Sequence, residues 1–109
     1  YDCFVNPVQW GFNDAECLKN LFKKHKINFP YFGRQTIDVK QLFSFIEITN
    51  GRSIKAGLQN AMNKFKIKFE GHSHRADIDA KNTLRFFFEL LRRQRVIEES
   101  IYSIKNLKI

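Results

Sequence analysis

The chain has 109 residues, enough for one domain with a modest hydrophobic core and no more. Lysine and arginine outnumber acids by 19 to 11, and the resulting net charge of +8 favours polyanionic partners through phosphate contacts and counterion release. Two cysteines, Cys3 and Cys17, exclude a disulfide framework and fit no zinc spacing. They are expected as small buried side chains in a reducing cytosol, which makes cytoplasmic the default placement. No apolar run is long enough to span a bilayer, and no secretory leader is evident. Tyr1 rather than Met opens the sequence, so a preceding segment is expected. Twelve phenylalanines predict a core built largely from phenyl rings.

In chain order, 1–8 reads as a strand, with Tyr1, Cys3 and Val5 alternating with Asp2, Phe4 and Asn6 until Pro7 ends it. Gln9 to Asn13 is a turn around Gly11, and Asp14 suits the N-cap of a helix over 15–26. That helix carries Leu18, Leu21 and Phe22 on one face and lysines on the other. A loop with Pro30 and Gly33 leads to a short β-branched strand over 36–39. A helix over 40–48 should turn Leu42, Phe43, Phe45 and Ile46 inward. Ser53 is placed to cap a third helix running through Phe65, with Ile54, Leu58, Ala61, Met62 and Phe65 as its apolar stripe. After a loop over 66–73, a fourth helix should run from about Asp77 to Arg93 and bury Ala80, Leu84, Phe87, Phe88 and Leu91. The tail over 96–109 spaces Ile97, Ile101 and Ile104 for a last short helix. No repeat or linker divides the 109 residues.

The segment with chemical content is Glu70 to Asn82, EGHSHRADIDAKN. A loop histidine, His74, precedes Asp79 at a helix start by five residues, so the two side chains can converge. A carboxylate there suits Mg²⁺ or Mn²⁺, which prefer oxygen ligands, and an imidazole beside it can take a proton from attacking water. Each residue also has a plain structural role. Asp14 is a complete N-cap, Asp79 a first-turn acid favoured by the helix dipole, and His72 a surface residue. The pair His72 and His74 lacks a third partner for a transition metal. Phe86, Phe87 and Phe88 read as core rather than a base-stacking platform, and Lys23, Lys24 and Lys26 as a solvated helix face.

The run from Gly57 to Phe86, GLQNAMNKFKIKFEGHSHRADIDAKNTLRF, resembles the third motif of DEDDh-type 3′→5′ exonucleases. It is closest to the branch of the histone-mRNA 3′-end exonuclease and the bacterial sporulation-inhibitor-like exonucleases. Gly57–Leu58, Glu70–Gly71, His74–Arg75–Ala76, Asp79–Ala80 and Asn82–Thr83 stand in register with it, and Ile78 replaces one of its usual two acids. Upstream, WGFND at 10–14 is similar to the branch's second motif, with Asp14 on the acidic position. The segment ECLKNLFKKHKINFPYFGRQTIDVKQLF matches the helix, Pro-Phe loop and strand-helix that follow. The likeness covers residues 10 to about 92.

The resemblance implies an α/β, RNase H-like exonuclease fold, incomplete here and consisting mostly of its helices plus one or two strands. It implies hydrolysis with two divalent cations, Mg²⁺ or Mn²⁺, about 3.5–4 Å apart, releasing nucleoside 5′-monophosphates. Asp79 and Asp14 would be metal ligands, His74 the general base, and Arg75 a contact to a phosphate of the strand. The partner would be single-stranded nucleic acid with a free 3′ end, RNA rather than DNA. The family's first motif, Asp-x-Glu on a strand, has no counterpart, so the chain alone is expected to be inactive and to expose helix faces that missing strands would cover. The alternative is a non-catalytic remnant that binds nucleic acid or a protein through its basic surface. A helix-turn-helix reader has little support, because no helix pair shows a tight turn before a polar recognition face.

Overall fold

The computed structural model describes residues 7–11, 13–28, 36–72 and 74–107, the side chains of 13–15, 106 and 107 excepted. The architecture is mixed α/β and mostly helical. Its elements are β1 (Val8–Gln9), α1 (Asn13–Lys24), β2 (Ile37–Asp38), α2 (Val39–Thr49), α3 (Leu58–Lys64) and α4 (Ala76–Leu107). Among the described residues, no helix is long and apolar enough to cross a membrane.

β1 and β2 pair in parallel, Val8 with Ile37 and Gln9 with Asp38. Parallel strands cannot be joined by a tight hairpin, and α1 supplies the crossover between them. The expected first strand over 1–8 lies outside the described residues except at its end. There the strand follows Pro7 rather than stopping at it. Proline lacks only its N–H, and the Pro7 carbonyl still accepts from Ile37 N at 2.8 Å. Asp38 ties the sheet to the next helix. Its Oδ1 accepts from Lys40 N at 3.0 Å as the N-cap of α2, and from Gly11 N at 2.9 Å. That second bond fixes the turn after β1, where Gly11 has φ +87°.

The first three helices stop in the same way. At the end of α1, Ile27 N donates to Phe22 O and Lys26 N to Lys23 O. At the end of α2, Arg52 N donates to Glu47 O and Gly51 N to Ile48 O, and at the end of α3, Ile67 N donates to Met62 O and Lys66 N to Asn63 O. Each is a Schellman closure with a left-handed residue just past the helix. Only α2 uses glycine there; α1 and α3 use Lys26 and Lys66, with φ 56° and 59°. Lysine has no steric ease in that conformation, but its charge sits well at the negative end of the helix dipole.

The buried core is Val39, Phe43, Ala61, Met62, Phe65, Phe86 and Leu90. Phe43, Phe65 and Phe86 meet edge to face with centroids 5.4–6.3 Å apart, and Trp10 leans on Phe43 at 6.0 Å and Phe86 at 5.9 Å. Such pairs add about 0.5–1.5 kcal/mol each beyond simple burial. Phenylalanine does dominate the centre, as composition predicts, but the faces differ from the expected ones. On α2, Phe43 is buried and Ile46 half-buried, while Leu42 is exposed and Phe45 is 68% exposed. Val39, Phe43 and Glu47 face inward at four-residue spacing instead.

Glu47 is fully buried because two cations close over it. Arg52 donates to both its carboxylate oxygens at 2.9–3.2 Å, and Lys64 Nζ lies 3.7 Å away. The Arg52 hydrogen bonds hold the carboxyl below its ordinary pKa against the opposing effect of burial.

On α4, the expected inward set also shifts. Asn82, Thr83, Phe86 and Leu90 are buried, Phe87 is half-buried, and Ala80, Leu84, Phe88 and Leu91 are exposed. Three consecutive phenylalanines leave the phase of the helix ambiguous in sequence. The helix does not end at Arg93. It runs unbroken for 32 residues, since nothing between Ala76 and Leu107 is Gly or Pro. α3 is shorter than expected and begins after Gly57 with no side-chain cap. Ser53 lies too far upstream to cap it. Its Oγ accepts from Lys55 N at 3.2 Å, and Ile54 is exposed. Cys17 is exposed as well, and the expectation of a buried thiol fails there. Cys3 lies outside the described residues.

Candidate functional site

The loop between α3 and α4 folds back on the first turns of α4, and three residues fix its path. Gly71 has φ +93°, and a Cβ there would lie 3.0 Å from two carbons of Ile78. The backbone conformation favours glycine, and a side chain there would press on Ile78. Asn82, fully buried in α4, accepts from Glu70 N at 3.0 Å and donates to Glu70 O at 2.8 Å, closing both backbone groups of one loop residue. The same amide donates to Ile78 O at 2.9 Å. Arg85 braces the outside, donating to Lys68 O and Asn82 Oδ1 at 2.9 Å each and lying 3.6 Å from the Glu70 carboxylate.

At the end of this clamped loop stands His74, with φ +69°, in the left-handed region that non-glycine residues seldom occupy. Two residues later α4 begins, and Asp79 sits in its first turn, its N–H donating to Arg75 O at 2.9 Å. Thr83 Oγ1 donates to Asp79 O at 2.7 Å and locks that turn. Asp77 and Asp79 both complement the positive end of the α4 dipole.

His74 and Asp79 open onto the same cleft, of about 810 Å³. The exit of β1, Val8 to Trp10, the start of α3 with Gln59 and Asn60, and Phe69 and Thr83 also line it. Its polar lining comprises an imidazole, a carboxylate, a hydroxyl and three side-chain amides, alongside the rings of Trp10 and Phe69.

The other sequence candidates fall elsewhere. Arg75 is not part of the lining. It pairs with Asp77 at 3.1 Å, and both side chains are largely exposed. Asp14 lies in the first turn of α1, which begins at Asn13, so the helix starts before it rather than after it. Its side chain lies outside the described residues. His72 is exposed and does not line the cleft. Sequence reasoning missed the wall formed by Gln9, Gln59 and Asn60 and the clamping role of Asn82. Asn82 carried a signal. An asparagine is unfavourable inside a helix, so one placed on the core-facing stripe needs partners.

The cation site implied by the resemblance needs more than these residues provide. A divalent cation of this kind takes about six oxygen ligands, and here one carboxylate stands beside one imidazole. Among the described residues, no group of three His, Cys, Asp or Glu side chains comes together. His74 and Asp79 by themselves do not fit a pair of cations. No protein-family model, curated protein sequence or solved structure matches this chain.

Proposed function

We propose that this chain is the C-terminal part of an RNase H-like 3′→5′ exonuclease domain, and that the cleft between β1, α3 and α4 receives the terminal nucleotide of a single-stranded nucleic acid, RNA in preference to DNA. One observation supports this reading above the others: His74 and Asp79 line one cleft, and His74 takes a left-handed backbone conformation at the end of the loop that Asn82 clamps at Glu70. Such backbone conformations cluster at functional sites.

In this reading His74 is the general base. Its imidazole accepts a proton from water as the water oxygen bonds to the terminal phosphorus, and the 3′ oxygen of the preceding nucleotide leaves with the bonding electrons. The product is a nucleoside 5′-monophosphate. Asp79 would serve as one ligand of Mg²⁺ or Mn²⁺, and Asp14 as another. The remaining carboxylates would have to come from an Asp-x-Glu strand that these 109 residues lack. The chain alone is therefore expected to be inactive.

The test is digestion of 3′- and 5′-labelled oligoribonucleotides with Mn²⁺. It compares the chain, a form carrying whatever coding sequence precedes it, and His74→Ala in that longer form. Stepwise shortening from the 3′ end by the longer form, abolished by His74→Ala, supports the assignment. Absence of cleavage by the longer form sinks the enzymatic reading. In that case salt-dependent binding through the basic surface becomes the better description.

A further inference from the structure

The buried stripe of α4 does not stop where the domain body stops. Phe86 and Leu90 lie in the core, and the same face continues at three- and four-residue spacing through Gln94, Ile97, Ile101 and Ile104. Every described side chain from Gln94 to Lys105 is exposed, and the three isoleucines are 52%, 43% and 58% exposed. The overhang 94–107 is about 21 Å long at ~1.5 Å per residue.

We propose that this overhang pairs with the same segment of a second copy of the chain, antiparallel, across a two-fold axis at Ile101. Geometry and charge both select this arrangement. The overhang's apolar face is also the face on which the domain body sits farther back along the helix. A parallel partner would bring both bodies into the same space between the helices, whereas an antiparallel partner keeps them at opposite ends. With Ile101 opposite its own mate, Ile97 of each copy meets Ile104 of the other, and Glu98 of each stands beside Lys105 of the other. The segment is therefore self-complementary in shape and in charge, as an isologous contact must be. The inference is independent of the exonuclease reading. Three isoleucines per copy make a small interface, so the dimer is weak and concentration-dependent.

Sedimentation velocity of the intact 109-residue chain over a wide concentration range tests it, with circular dichroism confirming that each variant stays folded. Wild type should show reversible monomer–dimer exchange, and Ile101→Asp should weaken association by about tenfold or more. Glu98→Lys and Lys105→Glu should each weaken self-association. The double variant should restore it, and the two single variants mixed should heterodimerise, because each then presents charges opposite to its partner's. A wild type that is monomeric throughout would overturn the proposal. So would association unchanged by Ile101→Asp, which would place the contact on another apolar face such as Leu84, Phe88 and Leu91. Single swaps that leave association unaffected would overturn the antiparallel register.

Discussion

The two halves of α4 are one helix with one apolar stripe, and they differ only in what lies across from it. In the first half, Phe86 and Leu90 are covered by α2 and α3, and buried Asn82 and Thr83 make every hydrogen bond their positions demand. In the second half, Ile97, Ile101 and Ile104 continue the stripe into solvent. Helical periodicity is thus necessary for burial but does not ensure it. The covered half also carries the cleft residues Asp79 and Thr83, with His74 two residues before its start, so the candidate chemistry lies at the packed end of the helix.

The largest effect should come from the covered half. Phe86→Ala removes the ring that touches Trp10, Phe43 and Phe65, and should cost about 3–5 kcal/mol in urea unfolding. A loss under about 1 kcal/mol would mean that the core is not organised around this ring.

Asn82→Ala leaves the backbone N–H and C=O of Glu70 without their partner and should cost about 1–3 kcal/mol. Hydrogen exchange provides the specific check. The Glu70 amide should lose its protection while amides of α2 keep theirs. Equal loss everywhere would mean that Asn82 supports the whole fold and not the loop that carries His74.

Gly71→Ala should cost about 1–2 kcal/mol, from the left-handed backbone and the contact with Ile78. Ile78→Ala in the same chain should recover only the part due to the contact. Full recovery would show that backbone conformation contributes nothing there.

Acid should act on the packed body through two carboxylates, Glu89 in the covered half of α4 and Glu47 in α2. Hydrogen bonds from Arg92 and Arg93 push the Glu89 pKa down to about 2 from 4.5, and Glu47 is lowered by Arg52. A group whose folded pKa is depressed contributes stability above its unfolded pKa and loses it as protons bind the folded form. Melting temperature should therefore hold above pH 5 and fall as pH drops from about 4.5 towards 2. The Glu89 share is modest because its partners are largely solvated. A chain equally stable at pH 2 and pH 6 would contradict these pairings.

The smallest effect belongs to the uncovered half. Ile101→Ala in dilute monomer should change stability by less than about 0.5 kcal/mol, as a surface substitution does. A core-sized loss would show that the overhang is packed in solution.

Much of this organisation is legible in the residues. Helices around Leu18, Phe43, Met62 and Phe86 follow from apolar spacing, and Asp79 near a helix start follows from the loop residues before it. Two faces were not legible. In α2, Leu42, Phe43, Phe45 and Ile46 populate more than one side, and choosing between sides depends on Arg52 and Lys64, which come from later in the chain to cover Glu47. In α4, Phe86, Phe87 and Phe88 satisfy every phase, and the decision rests on Asn82 meeting Glu70. The amide part of the cleft lining was invisible because Gln9 and Asn60 lie 51 residues apart in sequence and come to one cleft only through tertiary packing.

On the proposed reading, the cleft lined by His74, Asp79, Gln9, Gln59 and Asn60 is a nucleotide site. Nuclear magnetic resonance titration of the isotopically labelled chain with adenosine 5′-monophosphate tests it most directly, since the product should be recognised whether or not the chain can cleave. Saturable shifts are expected at the Trp10 indole N–H, the side-chain amides of Gln59 and Asn60, His74 and Thr83, weakened in His74→Ala. Shifts confined to the lysines of α1, or none in the cleft at any concentration, would contradict it.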